Sequence, residues 1–167
     1  MEVESLGWPA AARWGLVAVT AFPVVVAAAV LLGVPSARPV AAIPLLAVIA
    51  LDATLAAAFG RLRVAVDDAA LTVGFGPFRD RLPLDRIVAC GPTTYRWQDF
   101  GGWGIRVNPR RRVKLYNVAG DGGRAVRVLL DDGRAVLFSS RDPAAACQAL
   151  RAHRPAIGDC DEGAAGG

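Results

Sequence analysis

The chain has 167 residues, 54% of them hydrophobic, with a formal net charge of +4, three cysteines and one histidine. That length holds one modest domain plus a further apolar segment. An odd number of cysteines without metal-type spacing gives no sign of a disulfide framework or a zinc site, so Cys90, Cys147 and Cys160 read as buried or inert thiols of a reducing compartment.

Charge is unevenly placed. From Arg61 onward there are 17 basic and 12 acidic residues; before it there are two basic and three acidic. Such asymmetry predicts two parts in different surroundings. Residues 1–13 form a short polar start. Trp14 to Val34 then carries no charge, long enough to cross a hydrocarbon core of about 30 Å as a helix. A breaker-rich turn around Pro35 and Pro39 leads to a second apolar stretch, 40–60, interrupted only by Asp52. The first stretch is too long for a signal peptide and lacks a basic start. The pattern therefore predicts a membrane protein with a transmembrane helical hairpin over 14–60, its spans at 14–34 and 40–60. Arg61, Arg63, Arg79 and Arg81 follow the second span while the connecting turn has only Arg38, which predicts both termini and the following domain in the cytoplasm. Trp8 and Trp14 suit the interface on that side.

After Gly60 the periodicity becomes that of strands. Extended segments are predicted at Arg63 to Val66, Leu71 to Phe75, Arg81 to Leu84, Ile87 to Tyr95, Trp103 to Val107, Val113 to Val118 and Ala125 to Leu130. Asp132-Gly133 is a hairpin turn leading to Ala135–Ser139. Asp142-Pro143 then opens a helix over Ala144 to Ala152. The domain is expected over 61–154, closed by that helix with Ala146, Cys147 and Leu150 facing inward, and a small, acidic, Gly-rich tail over 155–167 is expected to be disordered.

Several strands followed by one helix match the plan of a pleckstrin-homology-like barrel. Phe75-Gly76-Pro77-Phe78 with Leu82-Pro83-Leu84-Asp85-Arg86-Ile87 resembles the early hairpin and turn of bacterial pleckstrin-homology proteins. Gly102 to Arg106, Leu115 to Gly120, Leu130 to Arg134 and Ser140 to Pro143 are similar to later parts of small bacterial membrane proteins with this domain. The resemblance covers roughly Gly15 to Ala152. It implies an all-β barrel capped by a C-terminal helix, behind a two-helix hairpin, and it brings no reaction and no ligand.

Little supports catalysis. His153 reads as a surface or helix-capping residue, Gly101 to Gly104 as a connection between strands, and Asp67-Asp68 and Asp131-Asp132 as solvated turn acids. No cofactor or metal is expected. Arg106, Arg110, Arg111, Arg112 and Lys114 form a basic run that is either a solvated hairpin tip or a contact with anionic lipid headgroups. Nucleic-acid binding through nearby Tyr95, Trp97, Phe100 and Trp103 is not expected, since these aromatics read as core or barrel-mouth residues. Asp52 lies at a depth in its span like that of Thr20. The two form a candidate intramembrane polar pair that either locks the hairpin or, with more helices, serves a proton or ion path. The functional expectation is a non-enzymatic, membrane-anchored adaptor or binding protein at the cytoplasmic face. Its expected partners are the lipid bilayer and a further protein or a second copy. The alternative is an accessory subunit of a membrane transport or secretion assembly, joined through the hairpin.

Overall fold

The computed structural model describes residues 2–7 and 60–160, together with 21, 24, 25, 33, 46–51 and 54. Four strands build the first sheet: β1 (Glu2–Gly7), β2 (Arg61–Val66), β3 (Ala70–Phe75) and β4 (Phe78–Pro83), in that order and antiparallel. In β2 the alternation is clean: Leu62, Val64 and Val66 are buried while Arg61 and Arg63 face water. Asp67 makes the β2–β3 turn by accepting the N–H groups of Ala69 and Ala70 at 2.9 and 2.7 Å. Those two donors hold its carboxyl below the usual carboxylate range. At the β3–β4 hairpin Gly74 is obligatory, because a Cβ there would fall 2.1 Å from Phe78 O.

The second sheet contains β5 (Ile87–Thr94), β6 (Gly104–Asn108), β7 (Val113–Asn117), β8 (Arg124–Leu130), β9 (Ala135–Ser139) and the two-residue β10 (Gly158–Asp159). Its spatial order is β10-β5-β8-β9-β7-β6. A purely antiparallel barrel does not describe it, because β7 pairs β9 in parallel and β10 pairs β5 in parallel. The reason is the connection after β7. It carries β8 one place further across the sheet, and the β8–β9 hairpin folds β9 back into the vacant slot.

One core joins the two sheets. Leu62, Val64, Leu71, Val73 and Phe75 meet Tyr116, Val126, Val128, Val136 and Phe138, and helix α1 (Pro143–His153) covers this core with Ala146, Cys147 and Leu150. Asp142 caps the helix by accepting the Ala145 N–H at 2.9 Å, with Pro143 at its first position. The chain stays in the fold beyond the helix. Ile157 is buried in the core and Gly158–Asp159 pairs with β5, so the expected disordered tail does not begin at 155; 161–167 lie outside the described residues.

Two expectations are corrected here. Residues 2–7 are not a separate polar start but an edge strand of the first sheet. Glu4 fastens it to the far side of the domain, accepting Ser140 Oγ at 2.5 Å and Arg141 N at 2.6 Å. The second correction concerns the membrane hairpin. Among the described residues no helix is long and apolar enough to cross a membrane. A span needs about 20 helical residues, whereas the longest described helical run before the β-domain is 46–51. Most of 14–34 and 40–60, with Thr20 and Asp52, lies outside the described residues. The two-span hairpin and the integral-membrane location therefore have no helix to carry them among the described residues.

Leu150 is 1% exposed on the face that α1 turns to the core. Leu150→Ala should cost about 2–5 kcal/mol, the usual range for a buried leucine. Chemical denaturation measures it, and a cost below about 1 kcal/mol would mean that the helix does not close the core.

Candidate anion-binding surfaces

The five basic residues of the predicted run do not form one surface. β6 and β7 pair with Val107 opposite Lys114 and Arg106 opposite Leu115, so the strand alternation sends Lys114 and Arg106 to opposite faces. Lys114 lies on the core-facing side. Its Nζ is 2.9 and 2.7 Å from the two carboxylate oxygens of Asp80 on β4, and it sits 5.2 Å above the Tyr116 ring. This pair bridges the two sheets. Burial, with Asp80 next to it, pushes the Tyr116 phenol above its ordinary range. Arg106 is half-buried on the other face. Its Nε is buried without a hydrogen-bond partner, and a Cβ on Gly102 would fall 2.8 Å from its Nη2.

Only Arg110, Arg111 and Arg112 are exposed together, at the turn between β6 and β7. Asn108 Oδ1 accepts the Arg111 N–H at 3.2 Å, and Pro109 O accepts that of Arg112 at 3.2 Å. Arg112 has φ 53°, the left-handed region that a side chain rarely adopts, and its carbonyl accepts Ala135 N at 3.0 Å. The tip is thus held in shape against the β8–β9 turn. The acids of that turn are engaged elsewhere. Arg86 Nη2 lies 3.0 Å from Asp131 Oδ1 and 2.7 Å from Asp132 Oδ2, and Arg134 Nη2 is 2.8 Å from Asp132 Oδ2. The Arg134 N–H, followed by the Arg134 and Arg86 side chains, holds the Asp132 carboxyl below its usual range. Among the described residues none of the three tip arginines has an ion-pair partner.

The 95–103 connection roofs the outer face of the second sheet. Tyr95 and Phe100 meet edge-on at 6.3 Å and pack with Val113 and Leu129 on Leu115, Ala135 and Leu137. Of the two places expected for the aromatics, core or barrel mouth, Trp97 and Trp103 do not take the core: they stack on each other at 4.8 Å and are 43% and 42% exposed. Beneath the roof, Asp121 Oδ2 accepts the Tyr95 and Ser139 hydroxyls while Oδ1 accepts the Gly123 N–H at 2.8 Å. Burial and then Asp121 push the Tyr95 phenol upward. Sequence reasoning missed this network; its one visible trace is the turn composition of Asp121-Gly122-Gly123. Asn117 donates to Gly102 O at 3.2 Å, and its own Oδ1 is buried without a partner.

His153 donates from Nδ1 to Ala149 O at 2.9 Å, at the C-terminal end of α1, with Nε2 4.0 Å from Asp68. Cys90 and Cys147 are buried and adjacent, Cys90 Sγ lying 3.9 Å from Cys147 O; Cys160 is half-buried and its N–H donates to Cys90 O at 3.2 Å. No protein-family model matches this chain, and no significant match to it is found among curated proteins or solved structures.

If Lys114 serves the join between sheets, Lys114→Met and Asp80→Asn should be coupled. A double-mutant cycle is expected to return about 1 kcal/mol for this two-thirds-buried pair. A coupling of zero would remove Lys114 from the architecture.

Proposed function

We propose that this chain works through a non-catalytic, pleckstrin-homology-like binding domain that docks on an anionic surface, lipid headgroups first among them. The observation that carries the reading is the Arg110-Arg111-Arg112 turn: three exposed guanidiniums without ion pairs among the described residues, on a backbone held by hydrogen bonds with Asn108, Pro109 and Ala135. Each basic residue near an anionic membrane contributes about 1 kcal/mol. Three of them shift partition by roughly a hundredfold, enough for a reversible contact and too little for permanent attachment. Lys114 and Arg106 play no direct part in this contact. A non-enzymatic role is supported by how the groups suited to proton chemistry are engaged: Tyr95 and Ser139 with Asp121, and His153 with its own helix.

The stacked, exposed pair of Trp97 and Trp103 favours a second reading, contact with a protein partner or a second copy, because large aromatic side chains dominate such interfaces. Trp97→Ala should then weaken partner capture while leaving lipid binding intact. An unchanged capture profile would leave the pair as a cover for the sheet alone.

Replacing Arg110, Arg111 and Arg112 with Ala should abolish most binding to anionic vesicles and change stability by no more than about 0.5 kcal/mol. Wild-type binding should weaken as salt rises, the screening length falling from about 10 Å at 0.1 M to about 3 Å at 1 M. Equal sedimentation with neutral and anionic vesicles would refute the docking reading.

A further inference from the structure

A second basic site lies at the other end of the six-stranded sheet, where β7 ends and β8 begins. There a cavity of about 630 Å³ opens between the edge of β1 and the 118–121 segment, and three arginines line it: Arg61 at the start of β2, Arg124 at the start of β8, and Arg141 at the corner between β9 and α1.

The backbones of these arginines are tied into one frame. Arg61 pairs with Gly7 in the β1–β2 ladder. Glu4, on the same strand β1, accepts the Arg141 N–H, and Ser140 N donates to Arg124 O at 3.1 Å. All three residues are exposed, and none has an ion-pair partner among the described residues. The one acid in the wall, Asp121, already accepts the hydroxyls of Tyr95 and Ser139 and the Gly123 N–H. Glu4 is likewise spent on Ser140 and Arg141. Three arginines thus line one concave site against one wall carboxylate, Asp121, with Glu4 beside it, and neither acid is ion-paired to an arginine side chain among the described residues; the excess of positive charge raises the local concentration of anions.

We propose that this cavity binds a phosphate monoester. Guanidinium groups match the oxygens of a tetrahedral dianion two at a time, which a carboxylate of charge −1 uses less fully. The volume falls within the usual range of small-molecule sites and exceeds what inorganic phosphate fills. The phosphate therefore comes on a scaffold of glycerol or sugar size, either as a free metabolite or as the headgroup of a phosphatidic-acid-like lipid. The site is separate from the Arg110–Arg112 turn and does not rest on the docking reading.

Calorimetry of the purified full-length chain with glycerol 3-phosphate tests the soluble source. Flotation with phosphatidylcholine vesicles doped with phosphatidic acid, or with phosphatidylglycerol matched for charge, tests the lipid source. The heat with glycerol 3-phosphate, and the preference for phosphatidic acid over phosphatidylglycerol as distinct from total vesicle binding, are expected to fall at least tenfold with Arg124→Gln or Arg141→Gln and to persist when Arg110, Arg111 and Arg112 are all Ala. Arg124→Lys keeps the charge without the fork and should still lose several-fold. Affinity should also drop as pH falls below about 6, where the monoester dianion takes up a proton and becomes a monoanion. The proposal is overturned if wild-type protein gives neither heat with glycerol 3-phosphate nor a preference for phosphatidic acid over phosphatidylglycerol. It is equally overturned if the folded variants bind like wild type, or if an acidic peptide displaces the phosphate and binds more tightly at the same arginines.

Discussion

The Glu4 carboxylate holds the architecture at its most exposed point. β1 has a strand partner on one side only, and on that side its ladder with β2 is already interrupted by a bulge between Glu2 and Glu4. By accepting Ser140 Oγ and Arg141 N, Glu4 ties this edge to the corner where β9 gives way to α1. Ser140 is itself fully buried, so the bond satisfies a hydroxyl that would otherwise be costly inside the protein. Leu6 can then join the core, and the first sheet gains a fourth strand.

The second sheet is packed on both faces. Its inner face shares the main core with the first sheet and with α1, while its outer face carries a smaller cluster roofed by Tyr95 and Phe100. This double burial explains why β9 is buried at every position from Ala135 to Ser139 instead of alternating. It also explains the polar network around Asp121: a roofed sheet face leaves hydroxyls such as Ser139 without water, so they must find partners within the protein.

Much of the β-domain was legible because its signals are local. Alternation in Arg61 to Val66, the Asp132-Gly133 turn and the Asp142-Pro143 helix start each depend on a handful of neighbours, and those elements fall within a few residues of expectation. β1 was not legible. Its ladder is interrupted by a bulge between Glu2 and Glu4, and the partner strand lies more than 50 residues away. The parallel pairs β7–β9 and β10–β5 left no local mark either, since pairing direction follows from the path of the whole chain. For the site, sequence proximity misled. Arg106 to Lys114 are neighbours in the chain, yet alternation divides them between two faces and a turn. Arg61, Arg124 and Arg141 are distant in the chain and line one cavity.

The separation between β1 and β2 also governs the order in which the domain can assemble. β2, β3 and β4 follow one another through tight turns, and β8 and β9 share a short hairpin. Pairing strands more than 50 residues apart in the chain costs more entropy than closing a hairpin, so the β1–β2 ladder is a costly contact to form early and belongs late in folding. The reverse process begins at the same place. β1 has one strand partner and a carboxylate clamp, and its local release would uncover Leu6 while leaving the rest of both sheets paired. The wall it gives to the arginine-lined cavity therefore persists only while the last-formed part of the protein stays in place.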